Sequence, residues 1–69
     1  MYAYVLVNDD HCAINVFVIP SIKREGETLE AARRAKIGWN RINPRNYWIV
    51  AATREEVYKS DYTNCRRVG

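Results

Sequence analysis

The residues best suited to chemistry stand together at Asp9, Asp10, His11 and Cys12. Carboxylates, imidazole and thiolate are the groups that bind zinc and that form activated nucleophile pairs. Four consecutive residues in a tight turn cannot all converge on one ion, and no second ligand group follows at zinc spacing. Adjacent side chains at the end of a strand also project apart, which separates His11 from Cys12. We therefore expect a solvated hairpin turn, with no metal, no cofactor and no catalytic residue.

The length of the chain also argues against an enzyme. Its 69 residues suffice for one domain, spanning residues 1–69. A chain of this size buries roughly 60% of its unfolded surface, which leaves little material for a preorganised cleft. The two cysteines, Cys12 and Cys65, are too few for a disulfide framework and lack metal-site spacing. We expect two free thiols, and a single bridge between them stays open as the alternative.

Charge and hydropathy restrict the compartment and the partners. Eleven Lys and Arg residues oppose eight Asp and Glu residues, giving a net charge of +3. This mild excess is compatible with nucleic acid or with an acidic protein surface. No segment approaches the roughly 20 apolar residues needed to span a bilayer, and Met1 leads into the first strand without a basic signal region. We expect a cytoplasmic protein with no membrane partner.

The N-terminal half predicts a β-hairpin followed by the main helix. Residues 2–7 and 13–19 are rich in aromatic and β-branched residues, and Pro20 ends the second strand. A helix is expected to start at Thr28, a favoured N-cap, and to end near residues 38–40. Its apolar side comprises Leu29, Ala31, Ala32, Ala35 and Trp39, while Ile37 falls on the polar side.

The C-terminal half predicts one more strand, over residues 46–52. Thr53-Arg-Glu-Glu56 is a capping-box pattern that favours a short helix to about Ser60, and a strand over 58–63 is the alternative. Residues 64–69 are expected to be a flexible tail. The order is ββαβ, so the fold class is α+β: a two-layer antiparallel sheet with one main helix and a short C-terminal helix.

Both faces of this sheet are apolar on all three strands, although one helix can cover only one of them. The uncovered face is available to a partner, to a second copy of the chain or to the C-terminal segment with Val57, Tyr58 and Tyr62. Strand aromatics are typical of interface hot spots and of base-stacking sheets. The candidate partner-binding residues on the sheet are Tyr2, Tyr4, Tyr47 and Trp48.

Basic residues cluster before and along the main helix. They are interleaved with Trp39, a pattern that suits phosphate contacts combined with base stacking. A solvated helix face that keeps a small protein soluble is the alternative. The basic candidates for contact with a partner or with nucleic acid are Lys23, Arg24, Arg33, Arg34, Arg41 and Arg45.

The helix opening Glu27-Thr28-Leu29-Glu30-Ala31-Ala32 and the strand Tyr47-Trp48-Ile49-Val50 resemble small bacteriophage host-takeover proteins. The chain is similar over residues 2–54 to the phage inhibitor of host RNA polymerase. It also resembles some small anti-CRISPR proteins. Arginines on the last strand contact the polymerase in that inhibitor, which implies a binding role for Arg54.

The resemblance implies a small non-enzymatic inhibitor that binds and sterically blocks a host protein assembly, either transcription or CRISPR defence machinery, in the bacterial cytoplasm. The alternative from the residues is a small basic nucleic-acid-binding protein. A homodimer through the apolar sheet face is compatible with either function.

Overall fold

A computed structural model describes residues 1–20, 25–44 and 46–69 and confirms the α+β fold. The strands are β1 (Ala3–Val7), β2 (Ala13–Val18), β3 (Trp48–Ala52) and β4 (Arg66–Arg67); the helices are α1 (Glu25–Ile42) and α2 (Arg54–Lys59). The four strands form one antiparallel sheet in the order β2-β1-β3-β4. The two N-terminal strands therefore form a hairpin, and β3 pairs with the inner strand β1 rather than with β2.

The hairpin turn is organised by Asn8, which is buried. Its side-chain Oδ1 accepts hydrogen bonds from the backbone N–H of Asp10 at 2.9 Å and of Cys12 at 3.0 Å. Asn side chains favour such turns because they imitate a backbone carbonyl. His11 takes a left-handed conformation with φ of 59°. The structure thus confirms the expected turn and shows that its first residue fixes the backbone.

Helix α1 is longer at both ends than the sequence predicted. It begins at Glu25, and Thr28 is a buried residue of the helix interior rather than its N-cap. Glu25 and Glu27 in the first turn suit the positive end of the helix dipole. At the other end the helix passes through Gly38 and stops at Ile42, shortly before the proline at position 44.

Helix α2 has the predicted capping box. The Thr53 hydroxyl accepts from the Glu56 N–H at 3.2 Å, and the Glu56 carboxylate accepts from the Thr53 N–H at 2.8 Å. The helix closes at Ser60, which is left-handed with φ of 52°. These local hydrogen bonds satisfy backbone N–H groups at the start of the helix. A strand would need a neighbouring strand to satisfy the same groups, so the helix forms rather than the alternative strand.

Residues 66–69, predicted as part of a flexible tail, pair with β3 instead. Arg66 lies opposite Ala51 and Arg67 opposite Val50. Beyond them the Val68 N–H donates to the Ile49 carbonyl at 2.8 Å, and the Ile49 N–H donates to the Gly69 carbonyl at 2.9 Å. This pairing provides partners for the outward backbone groups of β3, which would otherwise be left at a bare edge.

The sheet has a hydrophobic core on each side. The helix face, which lies beneath α1, comprises Tyr4, Leu6, Ala32, Tyr47 and Ile49. The C-terminal face, on which Tyr62 packs, comprises Ala3, Val5, Val7, Val50, Ala52 and Tyr62, with Val57 and Cys65 partly buried against it. The chain's own C-terminal segment therefore covers part of the second apolar face. Tyr58 does not take part, because 80% of it is exposed.

Candidate partner-binding surface

The four aromatic residues predicted to bind a partner do not share a surface. Tyr4 and Tyr47 are buried in the core beneath α1, so their prediction as contact residues is wrong for this fold. Tyr2 and Trp48 are half-buried and pack on the C-terminal face. Alternation separates Tyr47 from Trp48, since successive strand residues point to opposite faces.

Trp48 lies at one end of the C-terminal face, opposite Val7 of β1. The Arg67 guanidinium stands over the indole at 5.5 Å from the ring centroid. The His11 ring approaches the same indole edge-on, with centroids 6.0 Å apart and planes at 79°. The arginine belongs to β4, and the histidine is itself the left-handed residue of the hairpin turn. Trp48 thus contacts both a cation and an aromatic ring, and Arg67 was missed because its segment was predicted to be a tail.

Tyr58 lies at the other end of this face, on α2. The Arg54 guanidinium is 5.9 Å from its ring centroid, at the i,i+4 spacing that makes helix residues neighbours. Both residues line a shallow depression together with Tyr2 and Val57. Arg54, predicted from the resemblance, is therefore exposed beside an exposed aromatic ring.

The two arginine–aromatic pairs, Arg67–Trp48 and Arg54–Tyr58, are separated by the length of the central strand. Trp48 is opposite the last residue of β1, while α2 begins just beyond the residue opposite Ala3. The four steps from Trp48 to Ala52, at about 3.3 Å each, separate the two ends of β3 by roughly 13 Å. A partner that covers the C-terminal face would contact both pairs.

Tyr62 and Cys65 pack on the same face, and Cys65 is tied to α2 by a hydrogen bond to Glu56. The backbone N–H of Thr53, and then the Cys65 thiol, lower the pKa of Glu56 by hydrogen bonding to its carboxylate. Burial raises the pKa of Cys65 to about 11, and the hydrogen bond to Glu56 and the charge of that carboxylate act in the same direction. Burial also raises the pKa of Tyr62. At neutral pH the thiol is therefore a protonated donor that fixes the C-terminal segment against α2.

The predicted basic residues are only partly described. Arg33, Arg34 and Arg41 are exposed on the outer side of α1, around Ile37, which is 55% exposed. The Arg34 Nε lies 3.9 Å from a Glu30 carboxylate oxygen on the same helix. The other three predicted positions, Lys23, Arg24 and Arg45, lie outside the described residues. The described arginines of α1 form a surface on the layer opposite the C-terminal face.

Of the turn residues considered first for chemistry, those at positions 10–12 take part in hydrogen bonds within the hairpin turn. Both cysteines are free, and the exposed Cys12 sulfur lies 3.7 Å from the Asp10 carbonyl oxygen. Within residues 1–20, 25–44 and 46–69, no three His, Cys, Asp or Glu side chains are placed to hold a metal ion. In the same ranges, neither helix has the length and apolar content needed to cross a bilayer.

Comparison of the chain with protein-family models, with curated proteins and with solved structures finds no match. The similarity to phage takeover proteins therefore stays a prediction from residue pattern. Inference about function depends on the surfaces described above.

Proposed function

We propose that this protein is a small non-enzymatic inhibitor that binds a host protein assembly through the C-terminal face and blocks it sterically. One observation carries the proposal: the two arginine–aromatic pairs stand at opposite ends of that face. Trp, Tyr and Arg are the side chains that dominate the energetics of protein interfaces. A stacked arginine also keeps its N–H groups available for the carboxylates of a partner.

The charges on this face favour an acidic partner. Arg54 and Arg67 are both exposed on this face, and the chain carries a net charge of +3. Complementary charge accelerates encounter and fixes orientation more than it adds affinity. An acidic surface of a bacterial transcription or CRISPR defence assembly is the target class that fits both this charge and the phage-like pattern.

The size of the molecule suits steric blocking rather than a small contact. Its two longer dimensions are 32 Å and 24 Å, and its accessible surface is 4752 Å² in total. A stable protein interface needs about 800 Å² from each partner. Such an interface would take about one sixth of the accessible surface and would place an object about 15 Å thick over the target site.

The test uses two variants that each remove one residue exposed to 80%, Tyr58→Ala on the proposed face and Ile42→Ala at the end of α1. Tagged proteins are used for capture from bacterial lysate with and without nuclease, followed by mass spectrometry. We expect one stoichiometric, nuclease-resistant protein complex with the native chain and with Ile42→Ala, and its loss with Tyr58→Ala. Retention with Tyr58→Ala and loss with Ile42→Ala would move the binding surface to α1 and refute the proposal.

A second candidate, nucleic-acid binding, is supported by the exposed arginines at positions 33, 34 and 41 on one side of α1. Affinity for mixed-sequence DNA or RNA would then fall steeply with salt, because phosphate contacts release counterions. Arg33→Gln with Arg41→Gln should reduce the salt slope by roughly 2, one unit for each lost phosphate contact. An absence of binding at low salt to both nucleic acids would eliminate this candidate.

A further inference from the structure

The two edges of the sheet differ in their protection against pairing with another strand. Strand β4 closes one edge with two residues, both arginines. Short strands and charges of this kind prevent unwanted pairing. Strand β2 forms the other edge with six residues, Ala-Ile-Asn-Val-Phe-Val, and carries no charge. An uncharged edge of this length is a template for pairing with a further strand.

The backbone groups on the open side of β2 belong to alternate residues. The backbone N–H of Ile19 faces β1, because it donates to the Tyr2 carbonyl at 3.0 Å. Phe17, two residues earlier and opposite Tyr4, faces β1 in the same way. The N–H and C=O groups of Val16 and Val18 consequently point away from β1. The side chains of these two valines are also 41% and 48% exposed, on the face where they lie opposite Val5 and Ala3.

We infer that the occupant of this edge is the β2 strand of a second copy, paired antiparallel about a twofold axis at Phe17. In that register Val16 of each copy lies opposite Val18 of the other, and each pair exchanges both backbone hydrogen bonds. The valine side chains meet on the C-terminal face, and the two Phe17 rings meet on the helix face. Cross-strand pairs of β-branched and of aromatic residues stabilise a sheet.

The absence of charge on β2 favours a second copy of the chain over a charged peptide as the occupant of this edge. Residues 13–19 carry no ionisable side chain, so two copies of β2 approach without repulsion and an acidic or basic strand finds no counter-charge on β2. The contact is smaller than a standard interface, so we expect a dissociation constant on the order of 10–1000 µM. The inference is independent of the proposed function, which concerns the arginine–aromatic pairs.

The test is light scattering from about 10 µM to 2 mM, in reductant to exclude disulfides. The native chain should rise from 8.1 kDa toward twice that mass. Val16→Lys should stay monomeric, because a charge at the seam would face apolar valine. Ile37→Lys, which makes the same exchange of an exposed apolar residue on α1, should dimerise as the native chain does. A native chain that is monomeric at 2 mM, or equal dimerisation by all three proteins, would overturn the inference.

Amide hydrogen exchange of the native chain tests the register without a substitution. The amides of Val16 and Val18 should exchange fast at 10 µM and slow down about 2- to 10-fold at 2 mM, the range set by the fall in monomer fraction for a dissociation constant on the order of 10–1000 µM. The inward amide of Phe17 should be protected at both concentrations. Concentration-independent exchange at Val16 and Val18 would refute pairing at this edge, even if another surface causes association. Circular dichroism of each variant confirms that the fold is intact.

Discussion

Alkaline pH should destabilise this protein through one thiol, Cys65. Burial and the Glu56 carboxylate raise the pKa of this thiol from 9.0 to about 11 in the folded state. Because the folded pKa lies above the unfolded value, the stabilisation is complete below about pH 9 and is lost as the pH rises toward 11. Above pH 9 the unfolded chain releases a proton that the folded chain retains. Each unit of pH in this window therefore favours unfolding.

The magnitude follows from the difference of two pKa units. One unit corresponds to about 1.4 kcal/mol, so the upper limit is about 2.7 kcal/mol once the pH exceeds 11. Half of that limit, about 1.4 kcal/mol of the free energy of unfolding, is lost by pH 10. Cys65 is only half-buried, and solvent screening reduces the expected loss to about 0.7–1 kcal/mol. For a domain of this size that equals a fall in Tm of roughly 3–8 °C.

The assay compares thermal unfolding at pH 8 and pH 10, in reductant, for the native chain and for Cys65→Ser. The serine hydroxyl can still donate to Glu56 but does not titrate in this range. The Cys65 charge also contributes to the raised pKa of Tyr62, so the comparison reports the thiol together with its effect on that tyrosine. Cys12→Ser, which removes the exposed thiol, serves as the second control and should behave as the native chain does.

Two results would refute this reasoning. The first is an equal loss of Tm between pH 8 and pH 10 in the native chain and in Cys65→Ser. The second is fast modification of Cys65 in the folded protein at pH 8 by a thiol reagent. A pKa of about 11 leaves only about one thousandth of that thiol ionised at this pH, so Cys12 should react first and Cys65 only on unfolding.

Three further predictions concern the turn, the capping box and the C-terminal strand. Asn8→Ala removes two hydrogen bonds from the hairpin turn and should lower the free energy of unfolding by about 1–2 kcal/mol, with Asn8→Asp losing less because it keeps an acceptor. The pKa of Glu56 is lowered from the usual 4.5, so its stabilisation is lost as the pH falls below that value and through the folded pKa, and Glu56→Gln should flatten this acid limb of stability. Deletion of residues 66–69 should lower the free energy of unfolding by at least about 1 kcal/mol, since the outer groups of Ile49 lose their partners.

Each of these has a clear contrary result. Denaturant titration would contradict the Asn8 prediction if the alanine variant unfolded at the same midpoint as the native chain. An acid limb that is identical in Glu56→Gln would show that the carboxylate contributes no pH dependence. Unchanged thermal stability after the deletion would mean that residues 66–69 are the flexible tail predicted from sequence.

Features determined by neighbouring residues were predictable from the sequence. The capping box at Thr53 and Glu56 and the turn after Val7 depend on bonds across three or four residues, and both form as expected. Strand β4 was missed for the opposite reason. Two arginines contain no strand signal of their own, and their pairing depends on the open edge of β3, about fifteen residues earlier.

The candidate site was only partly predictable because both sheet faces are apolar. Alternation places Tyr47 and Trp48 on opposite faces, but it does not show which face the helix covers. Helix α1 covers the side of Tyr4 and Tyr47, which leaves Trp48 half-buried on the opposite face. The partner of Trp48, Arg67, could be found only from the position of β4.

The central position of β1 has a consequence for synthesis of the chain. All five of its side chains are buried and it pairs on both sides, yet its second neighbour, β3, ends 45 residues after Val7. At 5–20 residues per second, a ribosome needs about 2–9 s to produce that partner. During this interval the N-terminal hairpin shows apolar side chains on both faces and two bare edges. The nascent chain is therefore a substrate for chaperones or for aggregation until β3 emerges, and faster translation should increase the soluble yield.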